Sequence, residues 1–113
     1  MNDDSVQVDI AIIGGGVAGL WLHNRLRRHG WSVILLERDE LGGRQTLLSQ
    51  GIIHGGLKYA LGGGLSSESE AIAAMPQRWR DCLSGRGELD LSGVNLLSDA
   101  QYLWSAGSMA SRI

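Results

Sequence analysis

A glycine cluster lies between two apolar runs near the start of the chain. The motif GGGVAG of residues 14–19 follows the apolar residues 8–13, and a second apolar run at residues 31–36 leads directly to Glu37. The G-x-G-x-x-G spacing alone is weak evidence, because 17 glycines in 113 residues produce such spacings by chance. A strand before the motif, a helix after it, a second strand and an acid at that strand's end together predict a dinucleotide-binding βαβ unit.

Each small residue of the motif has a physical role in such a unit. Gly14 permits the tight turn from strand to helix, where a Cβ would force a poor backbone conformation. Gly16 lets a pyrophosphate approach the backbone closely, and Gly19 lets the helix pack against the strands. Val17 and Ala18 open the helix, whose free N–H groups and dipole attract phosphate charge. These five residues are therefore predicted to bind the cofactor, and the alternative is a glycine-rich turn that binds nothing.

The acid at the end of the second strand predicts how the other end of the nucleotide is held. Glu37 is expected to accept hydrogen bonds from the ribose hydroxyls of the adenosine half. A carboxylate here also repels a 2′-phosphate, which disfavours NADP. Arg38 follows directly in the chain and is included in the predicted cofactor site.

The first helix and the stretch after the second strand have recognisable sequence signals. The helix is expected to cover residues 17–29 and to end at Gly30, because glycine is favoured just after a helix C-terminus. Residues 38–64 contain many glycines interspersed with apolar residues. They predict a loop-rich stretch with one short strand near Ile52, whose backbone approaches another group closely.

Later residues predict one more helix and one more strand. A cap at Ser66 or Ser67, early glutamates and apolar residues at helical spacing predict a helix over residues 66–82, in which Pro76 introduces a kink. The apolar residues 94–97 predict a short strand. The predicted fold class is α/β, an incomplete Rossmann-like FAD- or NAD(P)-binding βαβ unit with a glycine-rich loop segment and an added helix.

These elements suggest three regions. Residues 6–64 form the βαβ unit and a cofactor-contacting loop, residues 65–90 form the helix and a linker, and residues 91–113 begin a following region that is a candidate start of a substrate domain. A chain of 113 residues is long enough for one modest domain and too short for two.

Composition disfavours several other functional classes. A net charge of −2 gives no electrostatic reason to expect a nucleic acid partner. The single Cys82 excludes an internal disulfide, and the histidines, cysteine and acids show no metal-ligand spacing. The stretch of residues 8–22 is apolar apart from Asp9, but three adjacent glycines interrupt it and it is shorter than the roughly 20 residues of a membrane span. No membrane span, targeting signal or metal is expected, the default location is the cytoplasm, and peripheral membrane association stays open.

A second motif carries a resemblance to a known family. The sequence IHGGLKY of residues 53–59 resembles the I-H-G-G-L-[RK]-Y motif of FAD-dependent glycerol-3-phosphate dehydrogenases. It is also similar to the S-G-V-I-H-A-G motif of 2-hydroxyglutarate oxidases, and both groups belong to the D-amino-acid-oxidase-like flavoproteins. The resemblance implies FAD as cofactor, hydride transfer from a substrate carbon to flavin N5, and an amino-terminal portion of a longer enzyme. By the same resemblance, the cofactor site includes Thr46, Ser49, His54, Gly55 and Gly56.

The stretch before this motif departs from the dehydrogenase pattern. A serine-rich turn ending in S-S-K is typical of those enzymes, whereas here only Ser49 corresponds and Gly51 replaces the lysine. The departure favours a hydroxy acid or an amine over glycerol 3-phosphate. His54 is interpreted as a packed histidine bonded to backbone in preference to covalent attachment to the flavin 8-methyl carbon, and general acid–base work is disfavoured further because no partner carboxylate is identifiable. No catalytic residue is assigned.

Three functions follow from these patterns. The first is the FAD-binding portion of an oxidoreductase that acts on a small hydroxy acid, polyol phosphate or amine, with its electron acceptor left open. The second is an NAD-linked reductase domain, since the fingerprint and Glu37 suit either dinucleotide. The glycine-rich residues 42–64 favour FAD, because a nicotinamide domain normally continues into a second βαβ unit. The third is a truncated nucleotide-binding fragment without catalysis, and the 113-residue chain alone is not expected to turn over substrate.

Overall fold

The computed structural model describes residues 5–56 and 67–102. Its centre is a parallel pair of strands, β1 (Ile10–Ile13) and β2 (Val33–Leu36), joined by helix α1 (Val17–Arg28). Their register places Ile10 opposite Val33 and continues residue by residue to Ile13 opposite Leu36. This arrangement confirms the predicted βαβ unit and the α/β fold class, although both strands begin two residues later than the apolar runs suggest.

The end of α1 follows the predicted glycine signal. Gly30 has a φ of 88°, a left-handed conformation that a residue without a Cβ adopts at little cost. Its N–H donates to the carbonyl of Arg27, and the N–H of Trp31 donates to the carbonyl of Leu26. This pair of bonds is a Schellman motif, which satisfies two of the last helical carbonyls and turns the chain into β2.

The sheet is covered on the face that carries α1. Ile12 is only 8% exposed and its Cγ2 faces Gly19 of α1, whereas the next residue, Ile13, is 89% exposed. A near-continuous apolar run such as residues 8–13 is typical of a strand buried on both faces of a parallel sheet. That expectation is wrong for the described residues, because α1 is the helix that contacts β1 there and it packs on one face.

The described part of the glycine-rich stretch contains a helical turn and no strand. Helix α2 (Gln45–Leu48) is short and was not predicted. Residues 50–56 run without strand pairing, so the predicted strand near Ile52 is wrong. The segment packs elsewhere instead, since a Cβ built on Gly55 would lie 3.6 Å from Cγ of Pro76.

The single helix predicted over residues 66–82 is divided in two. Helix α3 (Ser67–Ala73) and helix α4 (Met75–Leu83) are separated at Ala74, and Pro76 stands in the first turn of α4. Proline lacks an N–H and is accommodated at a helix start, so the predicted kink is confirmed. Ser66, a predicted capping residue, lies outside the described residues.

Residues 84–92 fold back over the end of α4. Cys82 is fully buried and Leu89 is 5% exposed, which places both in the small core of this corner. The N–H of Leu91 donates to the carbonyl of Cys82, and the N–H of Val94 donates to the carbonyl of Leu91. Val94 therefore lies in a turn, and the strand predicted over residues 94–97 is wrong, because its backbone has no neighbouring strand to pair with in the described part of the chain.

Glu88 joins this corner to α1. Its Oε2 lies 2.9 Å from Nη1 of Arg25, and its Oε1 accepts a hydrogen bond from Nε1 of Trp21 at 3.1 Å. Nε of Arg78 on α4 lies 3.3 Å from the same Oε1, and Nη1 of Arg28 donates to the Glu88 carbonyl. The glutamate thus connects two helices that are far apart in sequence.

We expect Glu88→Ala to lower the free energy of unfolding by about 2 kcal/mol, because it leaves a half-buried indole N–H and two arginines without their acceptor. Glu88→Gln should lose about half as much, since its amide oxygen can still accept from Trp21. Urea unfolding measures both, with the exposed Glu70→Ala as the control. If Glu88→Ala is as stable as the parent, the side-chain contacts of Glu88 contribute nothing to the free energy of unfolding.

Candidate dinucleotide-binding site

The turn between β1 and α1 has the backbone that its first glycine predicts. Gly14 has a φ of 107°, which residues with a side chain rarely adopt. Its N–H donates to the carbonyl of Leu36 at 2.8 Å and so continues the sheet pairing past the end of β1. The chain can then turn directly from the strand into the helix.

Gly19 is where the helix comes closest to the turn. A Cβ built on Gly19 would overlap the carbonyl oxygen of Gly14 and would lie 3.6 Å from Cγ2 of Ile12. Only glycine permits this approach without moving the helix away from the strand. The role predicted for Gly19 in helix packing is therefore confirmed.

The N-terminus of α1 presents several backbone donors. Within the described part of the chain, no acceptor is found for the N–H groups of Gly16, Ala18 and Gly19, while the N–H of Val17 donates to Oγ1 of Thr46 at 3.0 Å. A Cβ on Gly16 would meet Oγ1 of Thr46 at 3.3 Å and nothing else within 4 Å. The site thus combines free donors, the positive end of a helix dipole and open space, which is the chemistry that binds phosphate.

Glu37 lies against the glycine turn. Its Oε2 accepts the N–H of Gly15 at 2.6 Å, and its Oε1 accepts the N–H groups of Arg38 at 2.8 Å and Asp39 at 3.0 Å. These bonds favour the charged carboxylate, so the N–H of Asp39 first and then that of Gly15 lower the pKa of Glu37 below its ordinary value of 4.5. Each carboxylate oxygen has two acceptor positions, which leaves one on Oε2 for a further donor.

A lowered pKa makes the contribution of Glu37 to folding depend on pH. The contribution is fully present above the ordinary value of 4.5 and is lost as pH falls through the lower folded-state value. We expect Glu37→Gln to be less stable than the parent at pH 7 and the difference to shrink in acid. Unfolding curves of both proteins between pH 7 and pH 3 test this, and a difference that stays constant or grows in acid would contradict it.

Residues that sequence analysis did not select complete this turn. Gly15 is buried, and a Cβ there would lie 2.6 Å from Cδ2 of Leu41. The N–H of Gly42 donates to the carbonyl of Gly15 at 2.7 Å. Gly15 occupies a variable position of the fingerprint, and its neighbours come from a loop, so no spacing signal indicates them.

The other predicted cofactor residues lie apart from the glycine turn. Oγ of Ser49 donates to the carbonyl of Thr46 at 2.9 Å, and Nδ1 of His54 accepts the N–H of Gly56 at 3.1 Å. Gly55 packs against α3 and α4, and no described contact joins His54, Gly55 or Gly56 to residues 14–19. The rest of the IHGGLKY motif, residues 57–59, lies outside the described residues.

Two other kinds of site are absent from the described ranges. No three or more histidine, cysteine, aspartate or glutamate side chains there are grouped so as to hold a metal ion. Among the same residues, none of the helices combines the length and apolar character needed to cross a bilayer.

Comparisons with known proteins agree on one family. A family model described as FAD dependent oxidoreductase matches residues 9–106. The "Probable FAD-dependent oxidoreductase PA4991" of Pseudomonas aeruginosa is 60% identical over 109 residues, which are 96% of this chain and 28% of that protein. A crystal structure of the FAD dependent oxidoreductase PA4991 aligns with a TM-score of 0.73 at 55% identity and covers 88% of this chain and 26% of that chain. Glycerol-3-phosphate dehydrogenase of Pseudomonas tolaasii is 41% identical over 51 residues, 45% of this chain and 10% of that protein.

Proposed function

The chain belongs to the family of FAD-dependent oxidoreductases, and we propose that the turn at residues 14–19 holds the ADP half of FAD. The observation that carries the proposal is the set of backbone N–H groups of Gly16, Ala18 and Gly19, which have no acceptor in the described part of the chain, at the positive end of α1 and beside the open space at Gly16. A diphosphate supplies the acceptors that these donors lack. The hydroxyl of Thr46 accepts from Val17 and keeps its own proton to donate to a phosphate oxygen.

Glu37 completes the proposed binding of the adenosine half. The remaining acceptor position on its Oε2 suits one ribose hydroxyl, and its other positions are taken by backbone N–H groups. Those bonds fix the carboxylate before the nucleotide arrives, which reduces the entropy lost on binding. Family membership also decides between the two dinucleotides that the fingerprint suits, in favour of FAD over NAD.

For the flavin end, we place His54, Gly55 and Gly56 as residues that orient the ring by backbone and side-chain hydrogen bonds. His54 holds the N–H of Gly56 through Nδ1, which is the packed, backbone-bonded role favoured from the sequence. When bound, FAD supplies the redox chemistry as acceptor of a hydride from a substrate carbon. The substrate class remains the small hydroxy acids, polyol phosphates or amines of the sequence prediction, and the cytoplasmic location likewise stays a prediction.

The chain spans about a quarter of the length of the Pseudomonas aeruginosa relative. Its activity, substrate and electron acceptor are therefore proposals for the whole protein. A flavin ring is desolvated only when protein covers both of its faces, and the described residues can cover part of one face. We accordingly expect residues 1–113 alone to bind FAD weakly and to turn over no substrate.

The proposal predicts that FAD, and not NAD, binds to protein that contains this chain. Flavin absorbance of the purified protein and chromatography of the nucleotide released by denaturation identify the bound cofactor. Colourless protein whose thermal stability rises with NAD but not with FAD would contradict the proposal. The same titrations on residues 1–113 separate the βαβ unit's own contribution from that of the rest of the enzyme.

A further inference from the structure

Arg44 has a backbone conformation that its residue type disfavours. Its φ is 57° and its ψ is −124°, in the glycine-favouring half of the backbone map, and it is the non-glycine residue with positive φ in the described part of the chain. Such a conformation costs on the order of a few kilocalories per mole and persists where surrounding contacts require it. Its neighbour Gly43 would adopt a positive φ more readily, so the strain at Arg44 calls for a physical reason.

The side chain of Arg44 provides part of that reason, since an exposed ion pair offsets only part of the cost of the strain. Its Nε and Nη2 both donate to Oδ2 of Asp39, at 3.0 Å and 2.6 Å. A second arginine, Arg38, reaches the same oxygen only at 3.4 Å. The pair with Arg44 closes the loop of residues 39–44, and both side chains are exposed, at 72% for Arg44 and 46% for Asp39.

The loop closed by this pair lies over the glycine turn. Glu37, which precedes the loop, accepts the N–H of Gly15, and Gly42, within the loop, donates its N–H to the carbonyl of Gly15. Thr46, which follows the loop, accepts the N–H of Val17. Every one of these bonds comes from residues 37–46, which we name the collar. The position of the collar therefore sets the position of the turn that presents the phosphate donors.

We infer that Asp39 and Arg44 are positioning residues, whose ion pair holds the collar closed and so shapes the nucleotide site before FAD binds. The inference rests on the proposed function, because it assigns FAD to the glycine turn. Neither side chain is required to touch the cofactor. Asp39 and Arg44 act through Glu37, Gly42 and Thr46.

The test is a double-mutant cycle of Asp39→Asn and Arg44→Ala in protein that contains the whole FAD site. FAD affinity is measured by fluorescence titration, and amide hydrogen exchange of Gly15 and Gly42 is measured without FAD. Each single variant should weaken FAD binding by about threefold to tenfold, which is the energy range of an exposed but well-aligned ion pair. Each should also speed hydrogen exchange at the amides of Gly15 and Gly42. The double variant should be no weaker than either single one, and the coupling should vanish in 1 M salt, where screening acts over roughly 3 Å.

Arg44→Gly separates the ion pair from the backbone strain. It removes the guanidinium as Arg44→Ala does, but it relieves the positive φ. We therefore expect Arg44→Gly to have a higher melting temperature than Arg44→Ala and an equally weakened affinity for FAD. Arg27→Gln, an exposed arginine near the other end of α1, is the charge-matched control and should bind FAD as the parent does.

The outcomes distinguish this inference from the proposed function. Loss of affinity in the Arg44 variants alone, with Asp39→Asn unchanged, would mean direct contact between Arg44 and FAD and would overturn the positioning role. If Asp39→Asn and Arg44→Ala both match the parent in FAD affinity and amide exchange while Gly16→Val loses FAD, the positioning role is overturned and the proposed function is not. If Gly16→Val also binds FAD normally, the proposed location of FAD is itself wrong.

Discussion

Gly19→Ala is expected to destabilise the βαβ unit by about 3 kcal/mol, at the upper end of the usual cost of overpacking. The added Cβ would overlap the carbonyl oxygen of Gly14, which is backbone and cannot rotate away. Relief requires α1 to shift from β1, and that shift would also separate Ile12 from the helix. FAD binding should fall with it, because the helix N-terminus moves. Equilibrium unfolding in urea, with FAD affinity measured in parallel, tests both effects.

Gly93→Ala is the matched control for this substitution. A Cβ at Gly93 meets nothing within 4 Å, so its stability should stay within about 0.5 kcal/mol of the parent. If Gly19→Ala were as stable as Gly93→Ala, the close approach of α1 to the turn would not be a property of the folded protein.

The second large effect is expected for binding and not for folding. Gly16→Val should lower FAD affinity about a hundredfold, or about 2.7 kcal/mol, because its branched side chain would occupy the space in front of the free donors. Gly16 has an extended backbone, with φ −73° and ψ −178°, which valine adopts readily. Stability without FAD should therefore fall by only about 1 kcal/mol, the usual cost of a poor residue at a helix N-cap.

Gly16→Ala provides an intermediate case. Its Cβ would lie 3.3 Å from Oγ1 of Thr46, a contact that a small rotation of the threonine relieves. We expect its FAD affinity to lie between those of the parent and of Gly16→Val. Parent-like binding by both variants would place the diphosphate elsewhere.

The sequence predicted the part of the fold that rests on local rules. Gly14 and Gly30 have the positive φ that their positions required, Gly19 lies at the closest helix–strand approach, and Glu37 lies beside the glycine turn. Each of these follows from backbone sterics or from the order of strand, helix and strand. Pro76 likewise divides α3 from α4, because its ring and missing N–H act locally.

The parts that sequence analysis got wrong depend on neighbours that a pattern does not specify. The apolar residues near Ile52 and those at residues 94–97 have the composition of strands, but a strand needs a partner, and the described residues offer none. The expectation that β1 is buried on both faces was wrong for the same reason. The links from Gly15 to Gly42 and from Arg44 to Asp39 arise from loop conformation, which residue spacing does not encode.

The central claim is that the turn at residues 14–19 holds the diphosphate of FAD. Its most direct test is an NMR titration of ¹⁵N-glycine-labelled protein that contains this chain, with FAD added stepwise. We expect the amide signals of Gly16 and Gly19 to shift most, because their N–H groups gain acceptors. Gly93, for which no contact with residues 14–19 is described, should not respond. Saturable FAD binding that leaves the Gly16 and Gly19 signals unchanged would contradict the account.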